Sequence, residues 1–196
     1  MSEPEIPLFP LNTVLFPGGP LPLRIFEPRY LDMVSRCLKG GHGFGVVLIH
    51  EGREAGGPAR TAQIGTMARI VDWDQGEDGL LGVTAHGQGR FRLQDARVQE
   101  DGLNMARVEF LAPETKLPIA LRHARLARLL ETVLSDLGPL YDAIDKDYED
   151  ASWVGYRLAE LLPIAMPDKQ ALLELEDAEA RLDALLPVVA SLQRDG

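Results

Sequence analysis

The hydrophobic period of this chain changes at Pro113, and that change limits its fold more than any other feature. Between Gln63 and Leu111 apolar and polar residues alternate. Ala68 and Ile70 face away from Arg69, Val71 and Trp73; Phe91 and Leu93 alternate with Arg90 and Arg92; Ala106, Val108 and Phe110 alternate with Arg107 and Glu109. Beyond Pro113 the apolar spacing becomes three and four. Alternation lines one face of a strand, whereas the longer spacing lines one face of a helix. The chain therefore reads as α+β, with a mainly β unit over residues 1–115 and an all-α unit over 116–196. Each length suits one small domain.

The β unit opens with an extended Ile6–Leu11, turns through Pro17-Gly18-Gly19-Pro20, and extends again over Leu21–Phe26. Pro28 suits the first position of a helix, where its missing N–H costs nothing. Tyr30, Val34 and Cys37, with Leu31 and Leu38, form the apolar face of that helix, and Gly40-Gly41 ends it. Gly43–Ile49 is a continuous apolar run of strand length, expected to be buried. Glu51–Ala62, centred on Gly56-Gly57-Pro58, reads as a surface loop. Gly76-Glu77-Asp78-Gly79 is a turn cluster that joins Met67–Trp73 to Leu80–Ala85 as a hairpin. Short strands with glycine-rich turns suggest an antiparallel barrel whose last strand returns to the first, because closure removes exposed edges.

In the second unit, Leu117–Leu137 has helical spacing, with Leu126, Leu130, Val133 and Leu137 on one stripe, and Gly138-Pro139 stops it. Val154, Leu158 and Leu161 mark a further helix closed by Pro163. A short helix follows Pro167, and the last begins near Glu176. Its stripe of Leu175, Ala178, Leu182, Leu185, Val189 and Leu192 has the spacing of a coiled-coil seam. A bundle core is the simpler reading, since Pro187 would kink a long zipper.

Charge and composition bound the partners. The formal charge is −10, from 20 basic and 30 acidic side chains, whereas nucleic-acid-binding domains are usually basic. Arg122, Arg125 and Arg128 form a compact basic face, read as solvated or paired within the molecule. The single cysteine, Cys37, excludes an internal disulfide and a cysteine zinc cage and points to a reducing, cytoplasmic setting. On an apolar helix face it reads as a small core residue. The charge-free run Ile6–Leu23 is no membrane span, because it holds Pro7, Pro10, Pro17, Pro20 and Pro22 and each internal proline costs a helix about 3 kcal/mol. No basic residue precedes it, as a signal segment would require.

Catalytic chemistry finds no foothold. A phosphate-binding loop needs Gly-Lys followed by Ser or Thr, and no Gly-Lys pair occurs. Gly87-Gln88-Gly89-Arg90-Phe91-Arg92 has arginine where a dinucleotide fingerprint needs its third glycine, and Gly41-His42-Gly43-Phe44-Gly45 has the wrong spacing. Both read as backbone accommodations beside strands. No serine sits in a Gly-x-Ser-x-Gly elbow. His42, His50, His86 and His123 form no paired helical motif, so no metal site is expected. The acid pairs Glu77/Asp78, Asp145/Asp147, Glu149/Asp150 and Glu176/Asp177 lie at turns and helix ends, where such residues serve geometry and helix dipoles. The expectation is a protein with no cofactor and no catalytic residue.

The block Leu21-Pro22-Leu23-Arg24-Ile25-Phe26-Glu27-Pro28-Arg29-Tyr30 strongly resembles the N-terminal domain of the Lon protease family. Ile6–Gly19, Gly43–Ile49, Ile64–Leu93 and Lys169–Leu186 agree in the same order, so the resemblance extends over essentially the whole chain. It implies a PUA-like antiparallel β pseudo-barrel followed by a C-terminal α-helical bundle. In the protease this region is assigned to binding protein substrates and to assembly, upstream of ATPase and peptidase domains. A stand-alone version looks like the recognition part without the engine, and a complete ATP-driven machine does not fit in 196 residues. The family places no catalytic residue here. Arg24, Phe26, Glu27, Pro28, Arg29 and Tyr30 carry the motif and bracket a strand-to-helix corner, where ion pairs and capping explain them most simply.

The function expected is a non-catalytic polypeptide-binding protein, a substrate-recognition or adaptor module for protein or unfolded polypeptide. An unfolded chain offers apolar side chains and free backbone groups, so the receptor needs an apolar groove or a strand edge. Phe16 and Trp73 are the candidate polypeptide contacts; a core position is the competing reading for both, and the favoured one for Trp73. The alternative function is RNA binding, which rests on the occurrence of PUA-like domains in RNA-binding proteins and is opposed by the charge. A hydrolase would require a convergent polar site that the sequence does not display.

Overall fold

In the computed structural model, residues 4–51, 60–76 and 78–195 are described. They form two compact units, residues 1–112 and 113–196.

The first unit holds β1 (Glu5–Leu11), β2 (Pro20–Ile25), α1 (Pro28–Gly40), β3 (Phe44–Glu51), β4 (Arg60–Thr61), β5 (Ile64–Gln75), β6 (Leu81–Val98) and β7 (Asn104–Phe110). The strands hydrogen-bond in the order β1-β7-β6-β5-β3-β4, and β1 also pairs β3, which closes β1, β7, β6, β5 and β3 into a ring. The last strand does return to the first, with Ile6 opposite Ala106. Closure, however, is made by a parallel pair, Leu8 opposite Gly45 and Phe9 opposite Val46. The antiparallel barrel expected is thus the one found, with this single parallel pair at its closure. The cause is topological: β2 and α1 intervene between β1 and β3, and such a crossover returns the chain in its original direction.

Two further differences have local causes. The alternation at Leu80–Ala85 and at Phe91–Leu93 belongs to one 18-residue strand, β6, which glycines at 87 and 89 do not interrupt. Gly87 is required there, because a Cβ would lie 2.1 Å from the Phe16 carbonyl oxygen. The Phe16-Pro17-Gly18-Gly19 turn lies on this point of β6: Gly18 N–H donates to the Gly87 carbonyl and Gly87 N–H to that of Gly19, each at 2.8 Å. On α1, Tyr30, Met33, Val34 and Cys37 are buried, whereas Leu31 and Leu38, expected on the same face, are 38% and 42% exposed. Pro28 begins this helix, and Gly41, at φ +65°, closes it. The loop expected over Glu51–Ala62 lies, at 52–59, outside the described residues; Thr61 returns opposite Ile49.

The second unit holds a 3-10 turn (Leu121–His123), α2 (Ala124–Ser135), α3 (Pro139–Asp142), α4 (Ala151–Leu161), α5 (Met166–Glu174) and α6 (Ala178–Asp195). Leu117–Ala120 is extended rather than helical, with Pro118 bridged to Asp150. The buried stripe of α2 is Leu126, Leu130 and Leu134, so Leu134 takes the place expected of Val133 and Leu137. On α6, Ala178, Leu182, Leu185 and Val189 are buried, which makes this part of the heptad-like stripe a bundle core, whereas Leu192 at its end is 39% exposed. Acidic residues cap these helices. Asp150 accepts from Ser152 N–H at 3.2 Å, and Asp177 accepts from Glu179 and Ala180 N–H at 2.8 and 3.1 Å.

Candidate functional site

The corner between β2 and α1 is built on Tyr30, which is buried against Phe9 with ring centroids 3.9 Å apart. Arg29 leaves the first turn of α1 beside it. Its guanidinium pairs with Glu27 at 2.9 Å, donates to the Gly102 carbonyl at 2.8 Å, and lies 4.7 Å from the Tyr30 ring centroid. One side chain thereby ties the helix start to the β6–β7 turn. Glu27 is the N-cap residue, but its side chain makes no capping bond; its carbonyl oxygen accepts from the Tyr30 and Leu31 N–H groups instead. Arg24 reaches across to Asp78 in the β5–β6 turn.

Phe26 stands apart from this framework. Its neighbours Ile25 and Tyr30 are buried, yet Phe26 is 63% exposed. It borders a cavity of about 260 Å³ whose apolar wall comes from Phe9, Leu11, Leu23, Ile25 and Tyr30, with Arg24 and Glu27 on its polar side. Strand register relates Trp73 to this apolar wall. Leu23 lies opposite Val83 on β6, and Val83 lies opposite Trp73 on β5. Directly paired residues share a sheet face, so Trp73, Val83 and Leu23 form a row toward the cavity, in which Val83 is buried in the core and Trp73 is the exposed end. A register shift between Ile70 and Asp72 re-aims the outer end of β5. Trp73, expected in the core, is 58% exposed, because the outer end of β5 beyond Ile70 is exposed on both faces.

Phe16 is fully buried under the turn that lies on Gly87, and Thr66 Oγ donates to the neighbouring Leu15 carbonyl at 2.6 Å. It has no surface to offer a polypeptide. The structure thus brings Trp73 to one row with Leu23, leaves Phe16 in the core, and adds Phe26 as the most exposed aromatic of the motif. Alternation alone could not show Phe26, because it lies just past the end of β2.

The edge of β2 is also informative. Gly87 N–H bonds to the Gly19 carbonyl, so the alternate positions Leu21, Leu23 and Ile25 turn their backbone groups toward β6, and Pro20, Pro22 and Arg24 turn theirs outward. Proline has no N–H. Arg24 is the one residue of the β2 outer edge that carries a donor, and such an edge resists strand addition.

Elsewhere the polar candidates are engaged. Cys37 is buried, and desolvation pushes its thiol up to about 11, far from thiolate chemistry at neutral pH. His123 is buried with Nε2 2.6 Å from an Asp183 oxygen. Arg122 pairs with Glu179 at 3.1 Å and Asp183 at 3.4 Å. Among the described residues no three His, Cys, Asp or Glu side chains could together hold a metal ion, and no helix is long and apolar enough to cross a membrane.

A family model, the substrate-binding domain of the ATP-dependent protease La (LON), matches residues 5–191. The Lon protease of Paraburkholderia phytofirmans is 34% identical over 201 residues, covering 96% of this chain and 24% of that protein. Protein cereblon of Gallus gallus is 34% identical over 128 residues, covering 63% of this chain and 27% of that protein. The chain thus spans about a quarter of the length of the curated relatives it matches. The crystal structure of a Lon N-terminal domain protein from Xanthomonas campestris covers 94% of this chain and 98% of its own, at 39% identity and a TM-score of 0.79. The N-terminal domain of the Mycobacterium avium complex Lon protease shares the fold at 16% identity and a TM-score of 0.63.

Proposed function

This chain belongs to the Lon substrate-binding domain family, and from that membership we propose that it is a non-catalytic module that captures unfolded or partly folded polypeptides through apolar side chains. The observation that carries the reading is a pair of aromatic side chains more than half exposed, Phe26 beside its apolar cavity and Trp73 at the outer end of the row that runs over the buried Val83 to Leu23. Exposed aromatics in an apolar row are costly in water and favour a partner that covers them. The proline-bearing edge of β2 argues for capture by side chains and against strand addition. The matched region is the substrate-binding domain and not the ATPase or peptidase domain of the Lon proteases, which supports a recognition role without turnover. A cytoplasmic setting agrees with the buried, unpaired Cys37.

RNA binding is the weaker reading. Arg122, the first residue of the basic face, is already held by two carboxylates, and phosphate binding depends on cations free to exchange counterions. The deciding experiment titrates a labelled, reduced and carboxymethylated protein, and separately a labelled RNA, at two ionic strengths. Polypeptide binding with a negative heat-capacity change and weak salt dependence supports the proposal. Tight RNA binding that falls steeply with salt and disappears when Arg122, Arg125 and Arg128 become alanine would overturn it.

A further inference from the structure

A second concavity lies away from the Phe26 row, between α1 and strands β1 and β7. It encloses about 420 Å³, within the range of small-ligand pockets. Three of the five methionines of the chain, Met33, Met67 and Met105, converge on it from α1, β5 and β7. Met33 and Leu103 line it at only 1% exposure, and Phe110, 51% exposed, lines it as well. Because four elements supply the walls, the space is part of the fold, and methionine side chains adapt their shape to an apolar guest.

The polar groups on this apolar wall select the head of that guest. Glu5 is neutralised, since both its oxygens accept from the Arg97 guanidinium at 2.8 and 2.9 Å. Arg36 lies one turn beyond Met33 on the same face of α1. Its side chain is half exposed, and its ion pair with Asp101 is loose at 3.7 Å. Within the lining, Arg36 is therefore the cation best able to take a new anionic partner, in a chain whose net charge is −10. A guanidinium binds a carboxylate with charge-assisted, paired hydrogen bonds.

We propose that this cleft binds a small apolar monocarboxylate, its hydrocarbon body among Met33, Met67 and Met105 and its carboxylate on Arg36. The proposal is independent of the polypeptide-binding reading and involves different residues.

Naphthoate and its neutral isostere naphthamide test it, with the methionine methyl resonances of the intact protein as a local readout. Naphthoate should shift the Met33, Met67 and Met105 signals and bind more tightly than naphthamide. Arg36→Ala should weaken naphthoate about tenfold, the worth of a charge-assisted pair, and leave naphthamide unchanged. Asp101→Asn, which keeps an acceptor for the Leu103 N–H, should free Arg36 and tighten naphthoate. Unchanged thermal midpoints establish that both variants are folded. Equal affinity for the two probes, naphthoate binding indifferent to Arg36→Ala, or displacement of naphthoate by an unfolded polypeptide would overturn the assignment.

Discussion

The two units of this chain bury different things. Among the described residues, the buried polar or charged side chains are Thr66 and Arg90 in the barrel and His123, Ser152, Arg157, Gln170 and Arg181 in the shorter helical unit. The barrel needs few of them because strand closure satisfies its backbone and two apolar clusters fill its interior. The helical unit is organised around ions. Arg181, fully buried, pairs with Glu114 through two bonds of 2.9 and 2.6 Å, donates to the Leu172 and Leu175 carbonyls, and stacks 3.9 Å over Tyr156. Glu114 also accepts from Ser152 and Tyr156. A second buried pair, Arg157 with Glu160 at 3.1 Å, is bridged to Tyr141. Apolar packing tolerates gradual loss, whereas a buried ion pair fails when one partner is removed. The barrel thus rests on apolar packing, while the helical unit hangs on a few charges.

The largest effect should come from breaking the Glu114 network. Arg181→Met leaves a carboxylate buried without its cation and should cost the helical unit about 3–5 kcal/mol. Because the chain has one tryptophan in each unit, Trp73 and Trp153, variants retaining Trp153 alone report this unit in urea titrations. Adding Glu114→Leu should recover most of the loss, since replacing a whole buried pair by apolar groups is often neutral. A cost of under about 1 kcal/mol for Arg181→Met would show that ions do not organise this unit.

Acid should act on the same network. Hydrogen bonds from Arg181, Ser152 and Tyr156 hold the Glu114 carboxyl below its ordinary range, against the opposing effect of burial. A carboxylate depressed in the folded state stabilises above its unfolded pKa and loses that contribution as pH falls through the folded value. Glu114→Gln should therefore cost on the order of 1.5–3 kcal/mol at neutral pH. The gap from wild type should close as pH drops below about 4. Glu160 has the opposite sign: burial raises its carboxyl, so acid relieves a cost there. Comparing wild type with the Glu114 variant cancels that contribution. A gap that persists at low pH would refute the assignment.

In the barrel, the sensitive points are steric. Gly87→Ala would force a Cβ to 2.1 Å from the Phe16 carbonyl and should cost about 1–3 kcal/mol through displaced backbone. Gly89→Ala, two residues along the same strand, meets nothing within 4 Å and should stay within about 0.5 kcal/mol. Equal effects, read from Trp73, would remove the distinction between the two glycines.

What the sequence disclosed divides along the same line. Periodicity showed the strands around the β5–β6 turn and the buried stripe of α6, and Pro28 and Gly41 marked the ends of α1, because each depends on near neighbours. The outcome at Leu31, Leu38 and Trp73 depended instead on where the sheet closes and how far β5 runs past the core, which no local window contains. Glu114 was equally silent. It lies outside any helix or strand, and its partner Arg181 is 67 positions away. Phe26 was visible as part of a motif, but its exposure followed from its place just past β2.

The last prediction asks whether recognition can be removed without touching stability. Phe26 and Trp73 are 63% and 58% exposed, so neither contributes much to the barrel interior, and Phe26→Ser and Trp73→Ser should each alter stability by less than about 0.5 kcal/mol. If the row they belong to receives apolar side chains, the double variant should bind a carboxymethylated unfolded protein at least about tenfold more weakly, since large aromatics dominate such contacts. The helical unit supplies the control. Leu121 is 95% exposed, more than either aromatic, yet Leu121→Ser should leave binding unchanged because it lies outside the β2–β6–β5 face. Exposure by itself would make all three equivalent; the row makes two of them matter. Loss of binding in Leu121→Ser with retention in the double variant would move polypeptide recognition from the barrel to the helical unit.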